Sequence, residues 1–395
     1  MSQSTLLGHR RLRLAAPMLG RDPSENNRAA TPLELFFDLV FVVAVALASD
    51  RLHHAAAEGG LATPTLSYGL IFFAIYWAWV NFTWFASAYD NDDVVFRLFV
   101  FVTMVGALIF AAGVPRAFDE RDFTIVVIGY VVMRVALIVQ WLRVALGDAE
   151  HKRTARRFTI GLTVVQVCWL AALALPASWW LPAWFVLAAG ELLVPAWGES
   201  ASRTQWNNEH IAERYGLFMI IVLGESVLAA SLAMQTALEE ALTGSLISIV
   251  AGGLLIGFSI WWLYFERPAD RQLTSLRGAF AWSYLHLLVF AAVAAIGAGL
   301  ALAVEAATGA GSISEVRVQA FVAVPLALFL LSLWGMYVRG DDTPLRKVSA
   351  PMTAAVVLGA CFVSAGVLVM GLATAGLVAV KTAVRIRAEP RTATP

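Results

Sequence analysis

The chain has 395 residues, of which 59% are apolar and only 14% charged, with mean hydropathy +0.73 and no net charge. A soluble globular domain carries about 25% charged residues, so this composition excludes one. Zero net charge also argues against a nucleic-acid surface. The expected fold class is all-α: a polytopic integral membrane helix bundle.

Residues 1–32 are polar and basic, with Arg10, Arg11, Arg13, Arg21 and Arg28. They lack the short apolar core and small-residue cleavage site of a secretory leader. The first apolar segment is therefore expected to stay as an anchor. A spanning helix needs about 20 mostly apolar residues. That rule marks candidates at 33–49, 66–88, 94–114, 123–146, 158–177 and 179–197, a polar linker at 198–214, and then 215–235, 242–264, 278–303, 316–338, 348–365 and 367–386. The last two are weakest, because 348–380 reads equally as one long tilted helix. Basic residues at both ends, Arg346 and Lys347 before and Lys381, Arg385 and Arg387 after, favour a hairpin. Twelve spans follow, with a short tail at 387–395. Continuous apolar runs exclude a β-barrel, whose strands alternate.

Charge sets the expected orientation. With the N-terminus inside, the outer loops hold only Arg51, Arg116, Arg121 and Arg317, and Arg134 lies within a helix; the rest of the 28 Lys and Arg fall inside. That asymmetry follows the positive-inside rule. It places both termini in the cytoplasm of a bacterial plasma membrane.

An internal likeness suggests duplication. Leu35–Phe41 with Ala48-Ser49 lies over Leu217–Leu223 with Ala230-Ser231, and Phe73–Trp77 lies over Phe258–Trp262. Arg97 and Ile109–Ala112 lie over Arg277 and Val289–Ala292. The expected domains are two parallel six-helix repeats, 33–197 and 215–386.

Charges at bilayer depth are costly, at least about 2.5 kcal/mol each on insertion scales, and are functional candidates by default. They are Glu34 and Asp38, one helical turn apart in the first span, Arg134, Glu191, Glu225 and His286, with Glu266 at the end of the eighth. At about 1.5 Å per residue, Arg134, Glu191, Glu225 and His286 fall at mid-depth, where they could relay a proton or cation. A structural network is the alternative: Arg134 would neutralise Asp38 or Glu191, and His286 would satisfy an interhelical hydrogen bond.

Glu209, His210 and Glu213 have a spacing that metal sites use, but they read better as a helix-leading segment; His53-His54 is a similarly weak signal. Cys168 and Cys361 read as buried, inert thiols. Gly253-x-x-x-Gly257 allows close helix approach. No catalytic motif, cofactor fingerprint or metal site is expected.

Two stretches resemble a known family. Thr31-Pro32-Leu33-Glu34-Leu35-Phe36-Phe37-Asp38-Leu39-Val40-Phe41-Val42 is similar to the opening signature of the bacterial low-temperature-requirement A (LtrA) family. His210-x-x-Glu213-Arg214-Tyr215-Gly216-Leu217-Phe218 continuing to Leu223-Gly224-Glu225-Ser226 resembles its second signature, and His286 with Gly297-x-Gly299 and Glu305 a looser third. The resemblance implies a multi-pass bacterial membrane protein. It singles out Glu34, Phe36, Phe37, Asp38, Glu213, Arg214, Gly224, Glu225 and His286 and carries no particular substrate. A fainter likeness joins Phe37-Asp38 to the Phe-Ser-Asp motif of endolysosomal potassium channels. Here Phe37 replaces the Ser, and Ile220 stands where the second half would need Asp.

The leading functional expectation is a transporter or channel for a small solute or ion, proton coupling included, with the lipid bilayer as its surroundings and an open oligomeric state. The alternatives are a non-catalytic membrane protein supporting growth or the envelope in the cold, and a membrane-embedded lipid-modifying enzyme.

Overall fold

The computed structural model describes residues 13–25, 28–60, 62–240, 243–267, 273–308, 313–338 and 344–388. Arg10, Arg11 and the tail residues 389–395 lie outside them, as does the side chain of Arg346. The described chain is helical, with no strand among the described residues. Twelve helices follow in order: α1 Pro32–Ala57, α2 Ala62–Tyr89, α3 Val94–Asp119, α4 Thr124–Gly147, α5 Lys152–Ala172, α6 Ala177–Glu199, α7 Asn208–Glu240, α8 Gly244–Phe265, α9 Leu276–Ala307, α10 Glu315–Tyr337, α11 Pro344–Gly359 and α12 Gly366–Ala388.

Ten of these are long and apolar enough to cross a membrane. The exceptions are α5, whose first turns carry Lys152, Arg153, Arg156 and Arg157, and α11, which has only 16 residues. At about 1.5 Å per residue α11 falls short of a hydrocarbon core of about 30 Å. The last apolar stretch is a hairpin: α11 ends in a short 3-10 turn, Ala360–Phe362, before α12 begins.

Local chemistry sets the helix starts. Thr31 caps α1 with Pro32 at the first helical position, where a missing N–H costs nothing. Asp93 accepts from the Phe96 amide, Asn207 from that of His210, Thr243 from that of Leu246 and Ser275 from that of Gly278. Each satisfies an amide that a helix start leaves unpaired.

The helices divide into two compact units. The first comprises residues within Met1–Phe41, Trp77–Arg116 and Arg121–Ile211. In it, α3 and α4 touch at glycine: a Cβ on Gly129 would lie 2.3 Å from the Phe110 amide nitrogen. Trp141 stacks on Phe158 with ring centroids 4.1 Å apart, joining α4 to α5. One face of α3 stays bare, with Leu98, Phe101, Val102, Val105 and Leu108 exposed at helical spacing. In water that stripe would be costly; against lipid tails it is the expected outer surface.

The second unit comprises the described residues within Val42–Tyr76, Ala117–Glu120 and Ala212–Pro395. Here α8 and α12 approach through Gly252, where a Cβ would lie 2.4 Å from the Val367 carbonyl oxygen. The expected pair Gly253 and Gly257 does not make this contact. Gly253 faces the Leu300 side chain at 3.4 Å and Gly257 faces open space, because each step along a helix turns by about 100°. Cys361 is buried but Cys168 is exposed, correcting the expectation of two buried thiols.

Candidate functional site

The polar candidates fall into separate settings. In the first unit, Thr31 and Glu34 form a reciprocal capping box. Glu34 N donates to Thr31 Oγ1 at 3.2 Å, and Thr31 N donates to Glu34 Oε2 at 2.9 Å. His210 Nε2 lies 3.3 Å from both oxygens of Glu34. Asn207, beside it, donates through Nδ2 to the carbonyls of Pro23 and Glu25 at 3.2 and 2.8 Å. Arg28 donates to the carbonyls of Ala86 and Ser87 near the end of α2. Five polar side chains thus bind the N-terminal segment to three helix ends. His210 is buried while Glu209 and Glu213 are exposed, so these three do not converge on one ion.

Asp90, just beyond α2, joins the same region. Burial, and then repulsion by Glu34, pushes its carboxyl up to about 6, against the pull of Arg21 and Arg28. Sequence reading overlooked it because it sits in a run of polar residues that looked like an ordinary loop. Asp38 is fully buried one turn beyond Glu34 and accepts from Trp79 Nε1 at 2.7 Å. Phe37 packs between Phe41 and Phe82, with centroids 4.6 and 4.3 Å away. Phe36 is exposed.

Arg134 and Glu191 meet inside the first unit. Arg134 Nη2 lies 3.3 Å from Glu191 Oε2 and also donates to the Tyr130 hydroxyl. Gln166 Nε2 donates to Glu191 Oε1 at 2.9 Å. Of the two partners open to Arg134 on sequence, the structure selects Glu191. A carboxylate, a guanidinium and an amide from three helices form a closed charge pair, a geometry suited to holding helices together.

In the second unit, His286 is also satisfied. Its Nδ1 donates to the Trp282 carbonyl at 2.8 Å, leaving Nε2 to accept from the Tyr264 hydroxyl at 3.2 Å. One donor and one acceptor are what a neutral imidazole offers. Beside it, the hydroxyls of Tyr215 and Ser283 lie 2.7 Å apart, and Tyr76 donates to the Ser283 carbonyl. Arg214 is fully buried and Gly224 exposed.

Glu225 is different. It lines a cavity of about 320 Å³ together with Ser49, Ser226, Gly297 and Ala298. Gly297 keeps that wall thin: a Cβ there would lie 2.8 Å from Cα of Ser226. Among the described residues, no hydrogen bond or ion pair engages the Glu225 carboxylate. Glu34, Asp38 and Glu191 all have partners, whereas Glu225 lines the cavity.

These residues carry two of the stretches that resembled a known family, and the sequence model of the bacterial low temperature requirement A protein matches residues 29–385. The chain belongs to the LtrA family. It is also similar to the uncharacterized protein RA0937 of Rhizobium meliloti (strain 1021), 29% identical over 297 residues, 70% of each chain. No solved structure matches it. The family match bears out the resemblance read from Thr31–Val42 and His210–Ser226. Within this LtrA chain those two stretches do unlike work: Thr31, Glu34, Asp38 and His210 are bonded at helix starts and cores, whereas Glu225 faces a cavity.

Proposed function

We propose that this multi-pass LtrA protein is a transporter or channel for a small solute or ion, with Glu225 as the carboxylate that meets it. The observation that carries the reading is Glu225, without a hydrogen-bond or ion-pair partner among the described residues, on a cavity wall within an apolar helix. A carboxylate in that setting is held against its solvation cost. It gains most from a proton or cation entering the cavity. Asp38 and Glu34 act in this reading as structural acids, since Trp79, Thr31 and His210 engage them. Arg134, Glu191 and His286 hold helices.

The basic-residue asymmetry supports a bacterial plasma membrane with both termini in the cytoplasm, and the sequence likeness of the two halves supports two parallel repeats. The test is flux into proteoliposomes with a pH dye and a cation panel, comparing wild type with Glu225→Gln at matched incorporation. Loss of a wild-type flux in the well-folded variant supports the reading. An equal flux in both removes Glu225 from it. No flux in wild type across the panel sinks transport of these ions and returns the protein to a structural role in the membrane.

A further inference from the structure

The Glu225 cavity has a polar end that the reading above does not use. Asp50, His53 and His54 line it. They occupy positions i, i+3 and i+4 near the C-terminal end of α1, so the helix sets them on one face before any ligand arrives. One ligand-capable atom from each lies within 4.8 Å of the others, and no second cluster of this kind occurs among the described residues. His54 Nε2 is 3.3 Å from Asp50 Oδ1, and the two imidazole rings have centroids 5.1 Å apart. A second helix adds a fourth group: Glu305, near the end of α9, brings Oε2 to 2.8 Å from His53 Nε2.

Two imidazoles and two carboxylates are a donor set for a borderline divalent ion such as Zn²⁺ or Co²⁺. In a tetrahedral site with bonds of about 2.0–2.1 Å, neighbouring donors stand about 3.4 Å apart. The His54–Asp50 and His53–Glu305 separations are already near that value. The three α1 donors lie within 4.8 Å of one another, so reaching that spacing takes up to about 1.4 Å of closure shared between two side chains. Asp50 and His54 are exposed at a helix end, and Glu305 enters through its contact with His53. Arg51 competes weakly: its Nε is 3.7 Å from Asp50 Oδ2, while its Nη1 leans toward Asp119 at 3.5 Å.

We infer that Asp50, His53 and His54, completed by Glu305, bind a divalent transition-metal ion at one end of the Glu225 cavity. The ion replaces the two His–carboxylate contacts with metal bonds and ties α1 to α9. The site stands on its own donor geometry, and binding there needs no flux.

The test uses the purified full chain, free of any affinity tag and stripped with chelator, titrated with Co²⁺ by visible absorption and with Zn²⁺ by calorimetry. Wild type is expected to take up one equivalent, with the intense visible band of four-coordinate Co²⁺. The H53Q/H54Q double variant is expected to lose the band and at least tenfold in affinity. Glu225→Gln is expected to keep both, which separates this site from the transport reading. If the double variant is not monodisperse, Asp50→Asn and Glu305→Gln replace it, each expected to weaken binding severalfold. Zn²⁺ is also expected to raise the thermal midpoint of wild type and not of the variants. Equal affinity in wild type and in well-folded variants, or no binding by wild type, overturns the inference.

Discussion

Thr31 and Glu34 exchange hydrogen bonds across the first turn of α1, and His210 closes on the same carboxylate from the start of α7. One acid therefore caps one helix and tethers another. Losing a cap of this kind costs about 1 kcal/mol, and losing a buried charged partner costs more. Glu34→Ala is expected to lower the thermal midpoint in detergent more than Thr31→Ala does, with Glu34→Gln in between. If Glu34→Ala leaves the midpoint where it was, the box is not a stabilising contact.

The Arg134–Glu191 pair predicts a specific non-additivity. Removing one member leaves a buried charge unpaired, typically about 3–5 kcal/mol, whereas replacing both with apolar groups is far milder. Arg134→Met and Glu191→Leu should each reduce folded yield sharply, and the double variant should recover much of it. Thermal stability of wild type and the three variants, assembled as a double-mutant cycle, checks this. Additive losses would mean that the two side chains act independently.

Asp90 should make stability fall as pH rises. Its carboxyl is raised to about 6 in the folded chain from a usual 3.8, so the folded state holds its proton more tightly than the unfolded state does. The sign follows: the contribution is full below about pH 4 and is lost as pH rises through 6. Asp90→Asn should then stabilise the protein at pH 7.5, by up to about 3 kcal/mol at 1.36 kcal/mol per pH unit, and do little at pH 4. A midpoint gain that is the same at both pH values would contradict it.

The glycines of α8 separate in the same way. Gly252→Val places methyl groups where the Val367 carbonyl already sits, and overpacking costs about 1–3 kcal/mol. Gly257 faces open space, so Gly257→Ala is expected to be neutral or to gain up to about 1 kcal/mol from helix propensity. Melting of the two variants side by side distinguishes them; a Gly252→Val protein as stable as wild type would show that α8 and α12 do not pack here.

Glu225→Gln should not lower the thermal midpoint, because no described residue bonds to that carboxylate and removing its charge lifts a solvation cost. A large loss of stability would expose a hidden structural partner and weaken its assignment to transport.

The amino-acid order alone was enough for the membrane-spanning helix bundle and for most helix bounds within a few residues. These depend on transfer of consecutive side chains into lipid and on contacts within one turn, and both are local. It also sufficed to mark Glu225 as a costly charge. Only the tertiary structure decided that Arg134 pairs with Glu191 instead of Asp38, that Trp79 answers Asp38, that Gly252 is the residue at the α8–α12 crossing, and that Glu305 meets His53. The reason is physical. In a soluble helix, polar and apolar faces reveal which side turns inward; in lipid both faces are apolar, and the apolar residues of α1 and α2 do not gather on one side. The rotational setting of each helix is then fixed by packing against its neighbours, and with it the partner of every buried charge.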